Sequence, residues 1–323
     1  MKKILVITTG GTIAMAENED SQGVKPQDPT SLQTVLPLLS RYAEVEMEHL
    51  FNIPSPHMTP QHMYTLATEV NKRLQQPDIS GVVVTHGTDT LEETAYFLNL
   101  VIDPPKTVVV TGAMRSQNEL GSDGPYNLVN AVRVATHSKA RGHGTLVVFN
   151  DEIHAAKTVT KTHTSSVATF QSPSLGPIGF VTKKEIFFQH HLKREPTLPL
   201  QPPTANVSLI KTVAGMDDQM IQWALKQNAD GIVIEAFGQG NVPPAMLPGI
   251  RQALANEVPI VLVSRCFNGI VQDTYEYEGG GKTLKEMGLI FSNGINGPKA
   301  RIKLILALNK TKNFAQLQSY FQQ

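Results

Sequence analysis

A single cysteine, Cys266, excludes any disulfide framework within the chain. It follows the apolar run 259–263, and free cysteines are usually buried, so the expectation is a small buried hydrophobe. Neither sign of charge is in excess, since 28 Lys and Arg face 28 Asp and Glu. Such a chain has no long-range field to collect polyanions, which argues against nucleic acid or an anionic membrane as the main partner. Long apolar runs are missing too: nothing approaches the roughly 20 residues of a membrane span. The run Ile4-Leu5-Val6-Ile7 gives way after four residues to Thr8-Thr9-Gly10-Gly11, shorter than a signal-peptide core, so a cytoplasmic location is expected. The ten histidines show no metal-ligand spacing and no cysteine cluster joins them, so no metal is expected.

What is present is a globular composition, 41% hydrophobic and 17% charged, over 323 residues. That length suits two domains of ordinary size. Strand candidates at 4–8, 45–50, 81–85, 107–111 and 145–149, most of them short apolar runs, alternate with amphipathic stretches at 61–74, 91–101 and 127–136. Continuous apolar strands separated by helices imply a mostly parallel sheet covered on both faces. After Phe149 the chain becomes polar and threonine-rich, and 178–182 with 185–189 reads as a hairpin around Lys183-Lys184. Four prolines between Pro196 and Pro203 imply an extended linker, because proline fixes φ and lacks the backbone donor. Strands at 207–211, 231–235 and 260–264, with helices at 217–227, from about Pro243, at 298–308 and at 313–322, form a second α/β unit. The expected organisation is an N-terminal α/β domain over 1–195, a linker at 196–205, and a smaller C-terminal α/β domain over 206–323.

Two segments carry chemistry. Thr8-Thr9-Gly10-Gly11-Thr12-Ile13-Ala14 directly follows the first strand, and in open parallel sheets ligands bind beyond the carboxyl ends of strands. Its glycines let backbone approach a ligand closely. The plainer reading is a turn whose hydroxyls satisfy local backbone groups. Thr85-His86-Gly87-Thr88-Asp89-Thr90-Leu91-Glu92-Glu93 follows the third strand, and Thr90 with Glu93 has capping-box spacing. Thr88 and Asp89 then sit just ahead of a helix start, where free amides and the dipole favour an anion, although Asp89 equally fits an ordinary first-turn acid. His86 reads as a hydrogen-bonded interior residue rather than a catalyst. A threonine hydroxyl attacks only when a base takes its proton, and a neutral lysine can do so. Lys161, in Val159-Thr160-Lys161-Thr162-His163-Thr164, is the candidate; its plain reading is a solvated surface lysine.

At this point the chain resembles the bacterial L-asparaginases almost end to end. The motifs that carry the resemblance include Thr9-Gly10-Gly11-Thr12-Ile13-Ala14, Thr85-His86-Gly87-Thr88-Asp89-Thr90 and Gly112-Ala113-Met114-Arg115. Asp123-Gly124-Pro125-Tyr126-Asn127-Leu128, Asn150-Asp151 and Val159-Thr160-Lys161-Thr162 follow in family order and spacing. The resemblance implies a threonine amidohydrolase that turns L-asparagine into L-aspartate and ammonia through an acyl-enzyme, and a minor action on glutamine is compatible with it. It assigns Thr12 as nucleophile and Thr88, Asp89 and Lys161 as the triad that orients and activates the attacking groups. Ser55 would bind the substrate α-carboxylate, Asp89 its α-amino group, and Ala113 its amide, with Thr88 also in contact. It further implies a homotetramer built from close dimers, in which Asn241 and Glu276 reach the site from a neighbouring subunit, with Tyr275 the runner-up to Glu276. This chain departs from the pattern at three places. Pro56 stands where many relatives carry glutamine, the flap at 15–29 lacks the tyrosine that periplasmic relatives use to activate the first threonine, and Thr274-Tyr275-Glu276-Tyr277 carries an insertion relative to the family pattern.

Gly279-Gly280-Gly281-Lys282-Thr283 is a phosphate-loop decoy: the full pattern needs glycine where Glu276 stands, so the glycines read as a flexible loop. Two rivals share the fold. An ammonia-supplying amidotransferase subunit would bring a basic surface and usually an N-terminal extension, and neither is visible. A catalytically silent amino-acid-binding protein needs the binding groups but not Lys161.

Overall fold

A computed structural model of the chain describes residues 1–17, 23–26, 29–103, 105–192 and 194–321. The chain divides into two compact units, Met1–Leu200 and Gln201–Gln323.

The first unit is built on an eight-stranded sheet. In chain order its strands and the short ribbons beside it are β1 (Lys3–Thr8), β2 (Met15–Glu17), β3 (Val24–Pro26), β4 (Glu44–His49), β5 (Ile79–Thr85), β6 (Thr107–Thr111), β7 (Thr145–Phe149), β8 (Glu152–Ala155), β9 (Thr160–Lys161), β10 (Phe170–Gln171), β11 (Gly179–Val181) and β12 (Ile186–Phe188). The sheet runs β12-β11-β8-β7-β6-β5-β1-β4. From β4 to β7 every neighbour is parallel, and beyond β7 the three remaining strands pair antiparallel. The helices are α1 (Leu36–Leu39), α2 (Pro60–Leu74), α3 (Leu91–Val101) and α4 (Gly124–Thr136).

The apolar runs are continuous because both faces of the parallel strands are covered. Ile4, Val6, Val83, Val109 and Val148 join Leu128, Ala131 and Val132 of α4 in one core. Alternate residues Leu5, Val82, Val84, Val110 and Val147 are equally buried and lie on the opposite face, because strand side chains alternate. There α2 and α3 pack against the sheet and each other. The hairpin expected around Lys183-Lys184 is β11–β12, and this lysine pair sits exposed at its turn, next to the edge strand. Charge there discourages pairing with another sheet edge.

Most element bounds fall within a residue or two of the sequence pattern; helix α4 and the proline-rich segment depart from it further. Helix α4 begins at Gly124 rather than 127, because Pro125 is pre-set for a first helical turn. The proline-rich segment is extended but fastened: Leu198 is buried and its N–H donates to Leu100 O at 2.7 Å.

The second unit carries a four-stranded parallel sheet in the order β13 (Val207–Lys211), β14 (Gly231–Ala236), β15 (Ile260–Ser264) and β16 (Ile290–Phe291). Its helices are α5 (Gln219–Lys226), α6 (Leu247–Ala255), α7 (Gly281–Glu286), α8 (Gly297–Lys310) and α9 (Phe314–Phe321). Ile232, Ile234 and Leu262 pack with Ile221 of α5, Ile250 of α6 and Leu284 of α7, while α8 lies along β13, β14 and β15. Helix α7 and strand β16 leave no mark in the sequence pattern because six and two residues are too short to show a period.

Two expectations for this unit are corrected. Cys266 is exposed, since β15 ends at Ser264 and the chain has left the core; its N–H donates to Ser264 Oγ at 3.1 Å. The three consecutive glycines are not a flexible loop but sites of close backbone packing. A Cβ at Gly279, Gly280 or Gly281 would lie 2.3 to 2.4 Å from the carbonyl oxygen of Val242, Tyr275 or Gln272.

In the first unit Gly11 packs closely against the backbone of Gly87. A Cβ on Gly11 would stand 2.3 Å from Gly87 Cα and N, and Gly11 holds φ +84°. We predict that Gly11→Ala destabilises the protein by about 2 kcal/mol or more, through positive-φ strain plus overlap. A shift of the urea midpoint at unchanged slope measures it, and an unchanged midpoint refutes it.

Candidate active site

The loops after β1, β4 and β5 meet at one end of the sheet. Thr9 N–H and Thr9 Oγ1 both donate to Thr85 O, at 3.1 and 2.9 Å, and Ile53 N–H donates to Thr9 O at 3.1 Å. A Cβ on Gly10 would lie 2.6 Å from Ile53 N, and one on Gly87 would lie 2.7 Å from Ser55 Cβ. The Thr12 segment, the Ser55 segment and the Thr88 segment therefore interlock by backbone. This is the carboxyl edge of parallel strands, where the turns expose N–H groups and leave a crevice.

Thr12 opens a short 3-10 turn, Thr12–Ala14, and is half-buried. Among the described residues its hydroxyl has no hydrogen-bond partner. The chain after it is pinned through Gln117, whose Nε2 donates to Ile13 O at 2.8 Å and whose N–H donates to Met15 O at 2.9 Å. Strands β2 and β3 pair antiparallel just beyond. Of the flap at 15–29, positions 18–22 and 27–28 lie outside the described residues; Gly23, Val24 and Lys25, which take the tyrosine's stretch, lie in and beside β3.

Thr88, Asp89 and Lys161 come together across 72 residues of sequence. Lys161 Nζ donates to Thr88 Oγ1 at 2.9 Å and to Asp89 Oδ1 at 2.7 Å. The lysine side chain is 16% exposed, so the solvated-surface reading does not apply to it, whereas Asp89 is 57% exposed. Asp89 thus neutralises the ammonium with one oxygen while its other oxygen takes no part in the pair.

The turn that carries Thr88 and Asp89 also holds Ser55. Asp89 N–H donates to Ser55 Oγ at 3.2 Å, and Thr90 Oγ1 donates to Ser55 O at 2.8 Å. That second bond corrects the capping-box expectation. Thr90 is the N-cap of α3, but its side chain makes no cap bond because it is turned to Ser55. A long-range partner wins over a local cap here. Ser55 is buried and starts its own 3-10 turn, Ser55–His57, which includes Pro56.

Behind the turn sits His86, fully buried. Its Nδ1 is 2.7 Å from Gly87 O and its Nε2 is 2.9 Å from Thr94 Oγ1. Nδ1–H must donate to the carbonyl, so Nε2 accepts from the threonine, and the ring is neutral with both nitrogens used. Burial lowers its pKa to about 4 against a weaker opposing pull from Gly87 O. This is a scaffold histidine, as its sequence context implied.

Ala113 is buried, and the loop it occupies, after β6, is fixed by Asp123. That carboxylate accepts from Met114 N–H and Arg115 N–H, at 3.1 and 2.9 Å, and from Asn127 Nδ2 at 3.1 Å. Asn127 Nδ2 also donates to Gly112 O, and Asn127 Oδ1 accepts from Asn150 N–H. Asp123 is the N-cap of α4 yet caps none of that helix's backbone N–H groups, its one bond to the helix being to the Asn127 side chain. Asp123 and Asn127 fix the loops around Ala113, which the sequence pattern did not reveal. The signal was there: an acid directly ahead of a glycine-proline helix start, followed four residues later by asparagine.

Asn241 and Glu276 belong to the second unit. Asn241 Oδ1 accepts from Gly281 N–H at 3.2 Å, which ties it to the start of α7. Glu276 is exposed and pairs with Lys282 Nζ at 2.5 Å. The runner-up, Tyr275, is exposed against Tyr277, ring centroids 5.6 Å apart. Among the described residues no group of three His, Cys, Asp or Glu side chains could hold a metal ion.

Fold and site together define a class: an α/β protein of two units whose first carries a threonine, a lysine and an aspartate joined by hydrogen bonds beyond the carboxyl ends of a parallel sheet. The chain belongs to the asparaginase family of amidohydrolases: the family model "Asparaginase, N-terminal" matches residues 3–194, and "Glutaminase/Asparaginase C-terminal domain" matches 206–321. It is 40% identical to a probable L-asparaginase of Deinococcus radiodurans, over all of this chain and 98% of that one. It is 36% identical to L-asparaginase 2 of Bacillus subtilis, over all of this chain and 87% of that one. A crystal structure of a probable cytoplasmic L-asparaginase from Campylobacter jejuni superposes with a TM-score of 0.90 at 31% identity, covering both chains completely.

The buried neutral His86 makes stability depend on pH. Its folded pKa, about 4, lies below the ordinary histidine value of 6.5. The unfolded chain therefore binds the extra proton first, and the stabilisation present above pH 6.5 is lost as pH falls toward 4. We predict a loss on the order of 3 kcal/mol across that window, about 2.5 pH units at about 1.4 kcal/mol each. Urea midpoints measured stepwise from neutral pH down to about 4 check it, with His86→Gln flattening the dependence; a wild-type curve already flat there refutes it.

Proposed function

We propose that this chain is an L-asparaginase, converting L-asparagine to L-aspartate and ammonia through an ester on Thr12. The observation that carries this reading is Lys161 Nζ bonded at once to the Thr88 hydroxyl and the Asp89 carboxylate, beside the Gly11–Gly87 contact that brings in the Thr12 loop. The relatives from D. radiodurans and B. subtilis are named L-asparaginases.

In the first half-reaction Thr12 Oγ1 adds to the side-chain carbonyl carbon and gives up its proton. Backbone N–H groups near Thr12 and Thr88 stabilise the resulting oxyanion. The carbon–nitrogen bond breaks as the nitrogen takes a proton, ammonia leaves, and the aspartyl ester remains on Thr12. In the second half-reaction the Thr88 hydroxyl, oriented by Lys161, directs water onto the ester, releasing aspartate and restoring the Thr12 hydroxyl. Lys161 moves the proton in its neutral form, and Asp89 steadies its charged form. Ser55 receives the substrate α-carboxylate and the free Asp89 oxygen its α-amino group, while the Ala113 backbone meets the amide. No metal or other cofactor takes part.

Minor hydrolysis of glutamine belongs to the same reading, since one methylene changes discrimination by only about 1–3 kcal/mol. The chain is further proposed to work as a homotetramer of close dimers, with Asn241 and Glu276 completing the site of a neighbouring copy. The linker is assigned to 196–205. The assigned compartment is the cytoplasm, in keeping with the C. jejuni relative, a probable cytoplasmic L-asparaginase. Among the described residues no helix is long and apolar enough to cross a membrane.

Purified, chelator-treated protein is expected to release ammonia from asparagine. No turnover of asparagine or glutamine anywhere between about pH 6 and 10 would overturn the assignment. Thr12→Ala should form no acyl-enzyme, and a full burst from that variant contradicts the nucleophile. Lys161→Met should lower kcat and kcat/KM together by roughly 100-fold or more. The shared site has its own test: Thr12→Ala and Asn241→Ala proteins, each inactive, should regain activity on being dissociated and reassembled together, and inactive hybrids count against it.

A further inference from the structure

Lys161 is mounted on a strand too short to hold it. β9 contains two residues and pairs with the two residues of β10, and a two-stranded ladder of that size has little stability of its own. A lysine side chain is also a flexible four-carbon stem around a compact charge. Keeping its ammonium on two oxygens therefore requires that the backbone beneath it be fixed by something else.

The residue before it supplies that anchor. Thr160 Oγ1 donates a 3.0 Å hydrogen bond to Glu92 Oε1, and both side chains are buried, at 8% and 9% exposure. Glu92 lies in the first turn of α3, three residues after Asp89. A carboxylate there is favoured by the amino-terminal end of the helix dipole, and an O–H bond to a charged acceptor is roughly twice as strong as a neutral one. The segment 88–92 thus grips β9 twice, at the tip of Lys161 through Thr88 and Asp89, and at Thr160 through Glu92. Adjacent strand residues project to opposite sides. The two contacts consequently fix the strand's rotation as well as its height, and a slip of one residue would break both.

We infer that Glu92 and Thr160 are positioning residues for the reaction, holding Lys161 on Thr88 without touching substrate themselves. The inference rests on the proposed activating role of Lys161. Misplacing an activating group by about 1 Å costs on the order of 100-fold in rate. Removing the bond is therefore expected to act on kcat and leave asparagine binding largely intact.

Thr160→Val keeps the side-chain shape and deletes the donor. It should lower kcat roughly 10- to 100-fold with KM for asparagine within about twofold of wild type. Thr160→Ser, which keeps the hydroxyl, should recover to within about threefold, and Thr160→Ala serves if the valine variant does not fold. Merely structural loss would lower the amount of active enzyme without this split or this rescue. A crystal structure of Thr160→Val reads the geometry without any turnover: the Lys161 Nζ to Thr88 Oγ1 contact should open beyond hydrogen-bond reach, about 3.5 Å. That contact retained at wild-type length, or kcat within twofold of wild type, overturns the inference. Lys161→Met run in parallel separates the two readings, because an active methionine variant sinks the role of Lys161 itself.

Discussion

Between Gly11 and Gly87 there is no space for a single carbon atom beyond the backbone. Two strands that are neighbours in the sheet, β1 and β5, end in loops that touch here, with Gly11 in the left-handed region that side chains avoid. Each loop carries a hydroxyl residue directly after its glycine, Thr12 on one side and Thr88 on the other. The parallel register of β1 on β5, Thr8 opposite Thr85, brings the glycines level. The contact then converts a feature of sheet geometry into the proximity of two side chains. Gly10 against Ile53 and Gly87 against Ser55 extend the same constraint to the loop after β4. Any side chain at these positions would push the three loops apart.

Polar groups around this contact are spent on one another. The turn 88–92 uses Thr88 and Asp89 on Lys161, the Asp89 N–H and the Thr90 hydroxyl on Ser55, and Glu92 on Thr160. Two N-terminal caps, Thr90 and Asp123, cap no backbone N–H of their own helices and turn their side chains to neighbouring loops, Asp123 also to the Asn127 side chain. Each forgoes local helix stability, typically about 1 kcal/mol, in favour of fixing a loop at the end of the sheet. His86 illustrates the opposite strategy: it is buried, neutral and saturated, and holds the turn from behind without charge.

Burial separates the residues whose sequence context was informative from those where it misled. The apolar runs at 107–111 and 145–149 became strands with unchanged bounds, since a fully buried parallel strand leaves an unbroken β-branched run. Thr90 and Glu93 carry the spacing of a capping box, yet the Thr90 hydroxyl found Ser55 35 residues away. Cys266 follows an apolar run, yet it lies two residues past the end of β15, and burial ends with the strand. The glycines at 279–281 resemble a mobile loop in sequence, although each is demanded by a carbonyl oxygen packed against it. In all three what decides is how the backbone packs or where an element stops, neither of which the local pattern displays.

From the sequence alone came the two α/β units, the loops that follow the first and third apolar runs, and the candidate threonines, because periodicity and glycine-threonine punctuation are local properties. Lys161 had a motif to recommend it but no local chemistry, and by composition it was an ordinary surface lysine. Only the tertiary structure brings its ammonium, 72 residues beyond Asp89, to 2.7 Å from that carboxylate and 2.9 Å from Thr88, and only there does Glu92 meet Thr160. The physical reason is that a hydrogen bond needs two groups within about 3 Å, and for residues on separate strands that distance is set by how the sheet and its loops pack.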